Sequence, residues 1–261
     1  MQTITVVIPT NRIDSWLTSA VSSVLDSEGV EVDLIVVFDG VHREDLPEWA
    51  SDPRVRVLKH PTSMGPAAAM QTAVPLARGE YVARLDGDDV SHPDRLVRQA
   101  AVLNGEPDVV AVSSRTSRIT SEGEPSGAVR LPAGEDVRHH LLLSNVIPHS
   151  TLMFRVSAWR DAGGYDSTLR QMEDYEFILR LGICGKLFQI SDALVDYRVH
   201  ASQTSRGAAP HGPHIRAVLA ARRQLRRKLR ASVASAELKN AMWVLAQWSR
   251  YWGITRPGHE R

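Results

Sequence analysis

The chain carries a single cysteine, Cys184, in 261 residues. No intramolecular disulfide can therefore brace it, and a reducing, bacterial-type cytosol fits that usage. Cys184 lies among apolar neighbours with no His/Asp set beside it in sequence, so packing is its expected job. No segment approaches ~18 consecutive apolar residues, so no membrane-spanning helix is expected. The start of the chain lacks a basic region, an apolar stretch and a cleavage site; it enters a strand at once with Thr3-Ile4-Thr5-Val6-Val7-Ile8, and no secretory signal is expected. No Gly-x-Gly-x-x-Gly follows that strand, which argues against a dinucleotide-dependent dehydrogenase. There is no internal repeat. Charge of one sign is also lacking overall, with a formal net charge of +1. That balance hides a block from Arg216 to Arg230 holding seven Lys/Arg residues and no acid, so the local block says more about partners than the whole-chain charge does.

What is present is an ordinary globular composition, 43% hydrophobic and 23% charged, long enough for one large domain or a domain with an extension. The most informative feature is Asp86-Gly87-Asp88-Asp89 at the end of the apolar run Glu80 to Leu85. Three carboxylates fall within four residues. Crowded carboxylates repel and raise one another's pKa values, and a cation among them relieves that cost. Magnesium commonly takes one or two carboxylates plus substrate phosphates. The cluster reads as a metal site that expects a phosphorylated partner, with Gly87 allowing a sharp turn; a solvated Asp/Gly turn is the alternative.

Strands and helices alternate through the first half. Strands are expected at 3–8, 32–38, 54–58, 80–85 and 109–113, and helices at 15–25, 65–76 and 93–103. Trp16, Leu17, Ala20, Val21, Val24 and Leu25 share one face of the first helix. This order predicts an α/β fold with a mostly parallel sheet flanked by helices. Ligands of such sheets bind beyond the carboxyl ends of the strands, where Pro9-Thr10-Asn11-Arg12, Asp39-Gly40 and Asp86 to Asp89 should converge. Residues 116–132 read as a hairpin or mobile loop, 138–143 as a short helix and 150–155 as a strand. A turn is expected at Gly163-Gly164-Tyr165-Asp166, a helix opening at Glu173-Asp174, and a late strand at 193–199 leading into His200. After a Gly/Pro/Ser-rich connection at 201–213 come two helical stretches. Ile215, Val218, Leu219, Leu225 and Leu229 line one; Leu238, Ala241, Met242, Leu245, Trp248 and Trp252 line the other.

Taken in order, six segments resemble those of the family 2 glycosyltransferases, enzymes of the GT-A fold. They are Val6 to Arg12, Val36 to Gly40, Ala77 to Asp89, Gly163 to Asp166, Glu173 to Glu176, and Tyr197-Arg198-Val199-His200 with Ser202. The resemblance covers roughly the first 205 residues. It implies a GT-A catalytic domain over 1–205, with a nucleotide-sugar half near 1–110 and an acceptor half near 111–205, followed by a helical extension over 214–261. It implies a metal-dependent inverting transfer from a nucleoside-diphosphate sugar to a hydroxyl of a glycan, lipid-linked or small-molecule acceptor, with Mn2+ or Mg2+ as cofactor. The donor nucleotide would be held by Pro9, Thr10, Asn11, Arg12, Asp39, Asp86 and Gly87. Asp88 and His200 would hold the metal, with Asp89 supporting. Asp174 matches the family's base and Glu173 is its neighbour; adjacent helix residues point about 100° apart, so only one of them can aim at the acceptor. Gly164 and Tyr165, with His149, would shape the acceptor side. Acids in a first helical turn also favour the macrodipole without any catalytic role.

Two departures bear on the base. No aromatic residue stands between Thr10 and Asn11, and Met70 stands where an arginine is common in the family. UDP remains the default, with dTDP and GDP sugars open. The rival functions are a sugar-nucleotide nucleotidyltransferase, which would want a Gly-rich basic loop after the first strand, and a non-catalytic nucleotide- or carbohydrate-binding module, which would not need Asp174. The basic block with Trp243, Trp248, Tyr251 and Trp252 suits either peripheral contact with a membrane's inner face or a helical hairpin packed on the domain or on a second subunit. Packing is the preferred reading, because the second helix has an apolar stripe to bury. Membrane contact and a homodimer stay open as partners; nucleic acid is not expected.

Overall fold

A computed structural model describes residues 1–42, 45–201, 203, 210–252 and 254. The strands are β1 (Thr3–Thr10), β2 (Glu31–Asp39), β3 (Val55–His60), β4 (Tyr81–Arg84), β5 (Val90–Ser91), β6 (Val109–Ile119), β7 (Pro125–Ala128), β8 (Met153–Arg155) and β9 (Lys186–Arg198). The helices are α1 (Ser15–Leu25), α2 (Pro66–Ala73), α3 (Arg95–Gly105), α4 (Arg138–Leu141), α5 (Val156–Asp161), α6 (Glu173–Cys184), α7 (Pro213–Lys228) and α8 (Val233–Tyr251).

The sheet runs β3-β2-β1-β4-β8-β6-β9-β5, with β7 hairpinned onto β6. The long ladders, β1 with β2, β2 with β3, β1 with β4 and β6 with β9, are parallel. The short ones, which involve β5, β7 and β8, are antiparallel, so the sheet is mixed. Its central strands are apolar on both faces, as buried parallel strands are. Ile4, Val6 and Ile8 of β1 pack with α1 and α3 on one face. Val7, beside Ile35 and Val37, packs with α2 and α6 on the other. Asp14 caps α1 by accepting the Leu17 N–H at 2.9 Å.

Because β8 runs against both β4 and β6, β6 and β9 point the same way as β1, β2 and β4. All five carboxyl ends therefore meet at one edge. The turn before β8, His149–Thr151, opens at that same edge. Helix α6, whose far end feeds β9 at the opposite edge, starts there as well.

Several boundaries differ from the sequence reading. Strand β9 starts at Lys186 rather than Ala193, because parallel pairing with β6 carries it across the polar Ser191-Asp192 step. Strand β6 continues to Ile119, and the 116–132 segment resolves into the β6–β7 hairpin. Trp16 leaves the core face of α1 and turns to the site edge, donating its indole N–H to the Ser121 carbonyl at 3.1 Å. Gly87 lies outside the left-handed region; a Cβ there would press on Thr10 Oγ1 at 3.3 Å and Leu17 at 3.4 Å, so close approach rather than a strained turn accounts for it. The expected connection at 201–213 lies largely outside the described residues, as does Ser202.

The C-terminal pair divides its faces differently from expectation. Helix α7 buries Ile215, Val218, Ala221 and Leu225 in the same core as α6. Arg222 is buried too, donating to the Leu142 carbonyl and lying 5.2 Å over the Trp243 ring. Helix α8 buries Ala236, Asn240, Trp243 and Gln247. Leu238, Met242, Leu245 and Trp252, expected to be covered, face solvent. The small and amide residues of α8 pack where Tyr175, 6.0 Å from the Trp243 ring, and α7 leave little room.

Candidate active site

The edge of the sheet gathers the sequence-expected residues around two linked groups. In the first, Asp88 Oδ2 lies 2.8 Å from His200 Nε2 and 3.3 Å from Arg12 Nη2. Arg12 also pairs with Asp14 at 3.1 Å. Thr10 Oγ1 donates to the Arg12 carbonyl at 2.8 Å and so fixes the end of β1. Pro9, opposite Val37, is the last but one residue of the strand, and Asn11 is exposed. Two guanidinium groups flank Trp16, Arg12 at 4.8 Å and Arg198 at 5.4 Å from its ring, and the His200 ring lies 4.7 Å away.

Asp89 faces inward and is fully buried. One oxygen accepts the Arg198 N–H at 2.9 Å; the other has no hydrogen-bond partner. Burial, then Asp88 and Asp86, push its carboxyl well above the ordinary value. Arg95 lies fully buried behind it and donates to the Arg84 carbonyl at 2.6 Å and to Gln99 at 3.1 Å. Arg198 binds the Asp88 carbonyl at 2.9 Å through Nε. The carboxylate turn is thus tied from behind to β4, α3 and β9, and Asp88 is left on the cleft side.

The second group starts from Arg84, the last residue of β4. It grips Asp86 with Nε at 2.8 Å and Nη2 at 2.7 Å. Its Nη1 lies 3.3 Å from His149 Nε2, which is also 2.8 Å from the Tyr165 hydroxyl. A guanidinium only donates. His149 therefore presents the Nε2 lone pair and is neutral, and burial with Arg84 holds it well below the usual histidine value. Tyr165 is buried, stacked 3.9 Å from Phe177, and its N–H donates to Gln71 at 3.0 Å. Its ring is thus packed into the core and not presented on an open surface. A Cβ on Gly164 would meet that Gln71 amide at 2.3 Å, at a φ of +69°, so both space and backbone demand glycine there.

Glu173 and Asp174 open α6 after Met172, whose φ of 58° is left-handed. Asn145 donates to Asp174 Oδ2 at 3.1 Å. Burial, then Asp174, push Glu173 up to about 7, against Arg84. Burial also raises Asp174, while the Tyr175 N–H and Arg84 pull it back. Arg84 and Asp86 act on both acids, so the α6 acids lie within electrostatic reach of the carboxylate turn.

Asp39, at the end of β2, is fully engaged. Its oxygens accept from Ser63 Oγ at 2.9 Å and from the Met64 and Gly65 N–H groups at 2.8 Å each, and meet His60 Nδ1 at 2.9 Å. Burial raises its pKa, but those four hydrogen bonds outweigh it and hold the carboxyl below the ordinary value. The partners Arg84, Arg198, Trp16, His60 and Asn145 were not singled out from sequence. Arg84 and Arg198 fall within or beside recognised segments and Trp16 reads as a core-face residue of the first helix, whereas His60 and Asn145 carry no local signal.

Two donors, the Asp88 oxygen and the His200 nitrogen, stand side by side and suit a divalent cation that completes its shell with phosphate oxygens. Among the described residues no group of three or more His, Cys, Asp or Glu side chains is arranged to hold a metal, so the protein alone would supply a partial shell.

A mixed sheet with a carboxylate turn at the end of β4 and an acidic helix start across the cleft defines a GT-A enzyme of the glycosyltransferase class. The chain belongs to glycosyl transferase family 2, whose family model matches residues 5–160. It is 26% identical over 214 residues to the O-antigen biosynthesis glycosyltransferase WbnJ of Escherichia coli, covering 78% of this chain and 83% of that protein. It is 23% identical over 207 residues to a chondroitin synthase of Pasteurella multocida, covering 77% of this chain and 21% of that one, so it spans about a fifth of that relative's length. S. aureus TarS 1-349 in complex with UDP-GlcNAc superposes with a TM-score of 0.71 at 18% identity, covering 98% of this chain and 74% of that one. Family membership sets aside the nucleotidyltransferase alternative.

Proposed function

We propose that the protein transfers a sugar from a nucleoside-diphosphate donor, UDP-linked by preference, to a hydroxyl of a glycan acceptor, with inversion. The observation that carries this reading is the gathering at one edge of the sheet of Asp88 with His200 and Arg12, and of the α6 start that bears Asp174 and Glu173, with Arg84 gripping Asp86 between them. The preference for UDP rests on the fold's likeness to TarS, solved with UDP and with UDP-GlcNAc. The glycan acceptor rests on relatives that include WbnJ and the succinoglycan biosynthesis protein ExoO of Rhizobium meliloti; a lipid-linked glycan is the form we favour.

In this reading Asp174 takes the proton of the acceptor hydroxyl. The oxygen then attacks the anomeric carbon, and the bond to the diphosphate oxygen breaks on the opposite face. The electron pair leaves with the nucleoside diphosphate. Arg12, at the end of β1, is placed to meet its phosphates. A divalent cation, Mn2+ by the nitrogen donor or else Mg2+, bound by Asp88 and His200 would supply charge to the leaving diphosphate. Asp86, held by Arg84, lies toward the nucleoside. All four lone-pair positions of Asp39 are in use, so a uracil imide N–H reaches it only by replacing a donor, and the Ser63 hydroxyl is the one free to rotate away. Glu173, His149, Gly164 and Tyr165 wall the acceptor side.

The test is a thermal-shift panel of UDP, dTDP and GDP with and without Mn2+, on the native chain and on Asp88→Ala. The expected result is a UDP shift enlarged by Mn2+ in the native chain and no metal increment in Asp88→Ala at an unchanged unliganded Tm. A metal increment that survives the substitution would remove Asp88 from the metal role.

A further inference from the structure

Helix α8 is two-faced in an unusual sense: its inner face is the more polar one. Ala236, Asn240, Trp243 and Gln247 are buried against the domain. At positions 238, 242, 245 and 252, on the opposite side of the same helix, stand Leu238 (64% exposed), Met242 (53%), Leu245 (67%) and Trp252 (67%). Residues three, four and seven apart fall along one stripe, so these four side chains form a continuous apolar strip on the outside of the molecule. Tyr251 and Ile254, both exposed, extend its end. The Tyr251 ring lies 5.9 Å from Trp252 and 6.3 Å from Trp248. A soluble helix normally hides such a strip.

Charge indicates what covers it. From Pro213 to Tyr251 the chain has nine Lys/Arg residues and one acid, Glu237. Glu237 is already paired with Arg223 at 3.3 Å. Arg222 is buried, whereas Arg216, Arg227, Lys228, Arg230 and Arg250 are exposed. A second copy laid on this strip would bring two strongly basic hairpins together, which charge repulsion opposes. An anionic surface has the sign complementary to the hairpin as a whole, and leucine, methionine and tryptophan on one outward side of a helix form the kind of apolar face that lies in a lipid interface. Among the described residues no helix is long and apolar enough to cross a membrane, so the contact is a lateral one.

We propose that the outer face of α8 docks on an anionic lipid surface, with Leu238, Met242, Leu245 and Trp252 entering the headgroup layer and the exposed basic residues of α7 and α8 contacting lipid phosphates. The residues involved take no part in the sheet-edge cleft, so this inference stands apart from the reading of the reaction.

The experiment is flotation of the full chain with vesicles of phosphatidylcholine alone and of phosphatidylcholine with phosphatidylglycerol, at low and high salt, beside light scattering of the protein in solution. The expected result is flotation with the anionic vesicles alone, reduced by salt. In Leu238→Glu/Leu245→Glu the bound fraction should fall by about tenfold or more, and Arg227→Ser/Lys228→Ser should weaken binding to a smaller degree. Thermal melting of each variant checks that the fold is kept, because the substituted side chains are exposed. Three outcomes overturn the proposal: no flotation with either vesicle, equal flotation with both, or a dimer in solution that the Leu238→Glu/Leu245→Glu substitution dissociates while vesicle binding is absent.

Discussion

In the proposed reaction Asp174 has to be ionised to accept a proton, yet burial raises its pKa, and Arg84 is a nearby cation that opposes this. Loss of activity on acidification should therefore track the folded-state pKa of that acid, with rate falling as pH drops through it. Arg84→Met removes the opposing charge, and the acid limb of kcat/KM should move to higher pH. Arg84→Lys should largely keep the limb in place. A limb that does not move in Arg84→Met would separate Arg84 from the base. Asp174→Asn should lower kcat on the order of a thousandfold while the UDP thermal shift remains. Glu173 gives a stability test. Its pKa is pushed up to about 7 from 4.5, so the folded state binds the extra proton. Stability then declines as pH rises from about 4.5 to 7, and the ionised form is the destabilising one above that range. Glu173→Gln should raise stability by up to about 3 kcal/mol at pH 8 and by almost nothing at pH 4, as read by urea unfolding at the two pH values. The acids were legible in the sequence because each sits in a short recognisable segment. Their partners were not: Arg84 meets His149 across 65 residues of chain, and only the crossing of β4 beside β8 brings the pair together.

At the scale of elements, the site depends on two backbone devices. The β2 end closes against the Ser63–Gly65 turn so tightly that a Cβ on Gly40 would lie 2.5 Å from the Ser63 nitrogen, at a φ of +76°. Gly40→Ala should cost about 2–3 kcal/mol in chemical unfolding and weaken nucleotide binding, because the turn that Asp39 clamps must move. The start of α6 is the other device. Met172 adopts a left-handed φ of 58° with no side-chain cap on the helix, and that turn sets the direction of Glu173 and Asp174. A β-branched residue tolerates this region poorly. Met172→Val should destabilise by about 1–2 kcal/mol and lower kcat, whereas Met172→Asn should keep both near the native values; equal behaviour of the two would sink the idea. Alternation of apolar strands with amphipathic helices made the parallel half of the sheet readable. The late strand expected at 193–199 begins seven residues earlier, because Ser191-Asp192 interrupts the apolar pattern while the parallel ladder with β6 absorbs those two polar residues at a register shift.

At the scale of the whole molecule, the apolar stripe of α8 was legible but its direction was not. Periodicity reports that one face differs from another; it does not say which face a neighbour covers. Here α7 supplies the cover for α6, the helix that begins with Glu173 and Asp174. Ile215, Val218, Ala221 and Leu225 share a core with Phe177, Ile178 and Leu181. Arg222 reaches across to the Leu142 carbonyl, and its cation lies on the Trp243 ring. Removing residues 214–261 would expose that apolar side of α6 to water, and each large side chain uncovered costs about 1.5–3 kcal/mol. The truncated chain should be aggregated or markedly less stable, and any soluble fraction should lose transfer activity more than nucleotide binding, because α6 carries Asp174 while the nucleotide half is built from β1 to β4. A truncated chain that stays monomeric, melts at the native temperature and turns over normally would show that α6 needs no such cover.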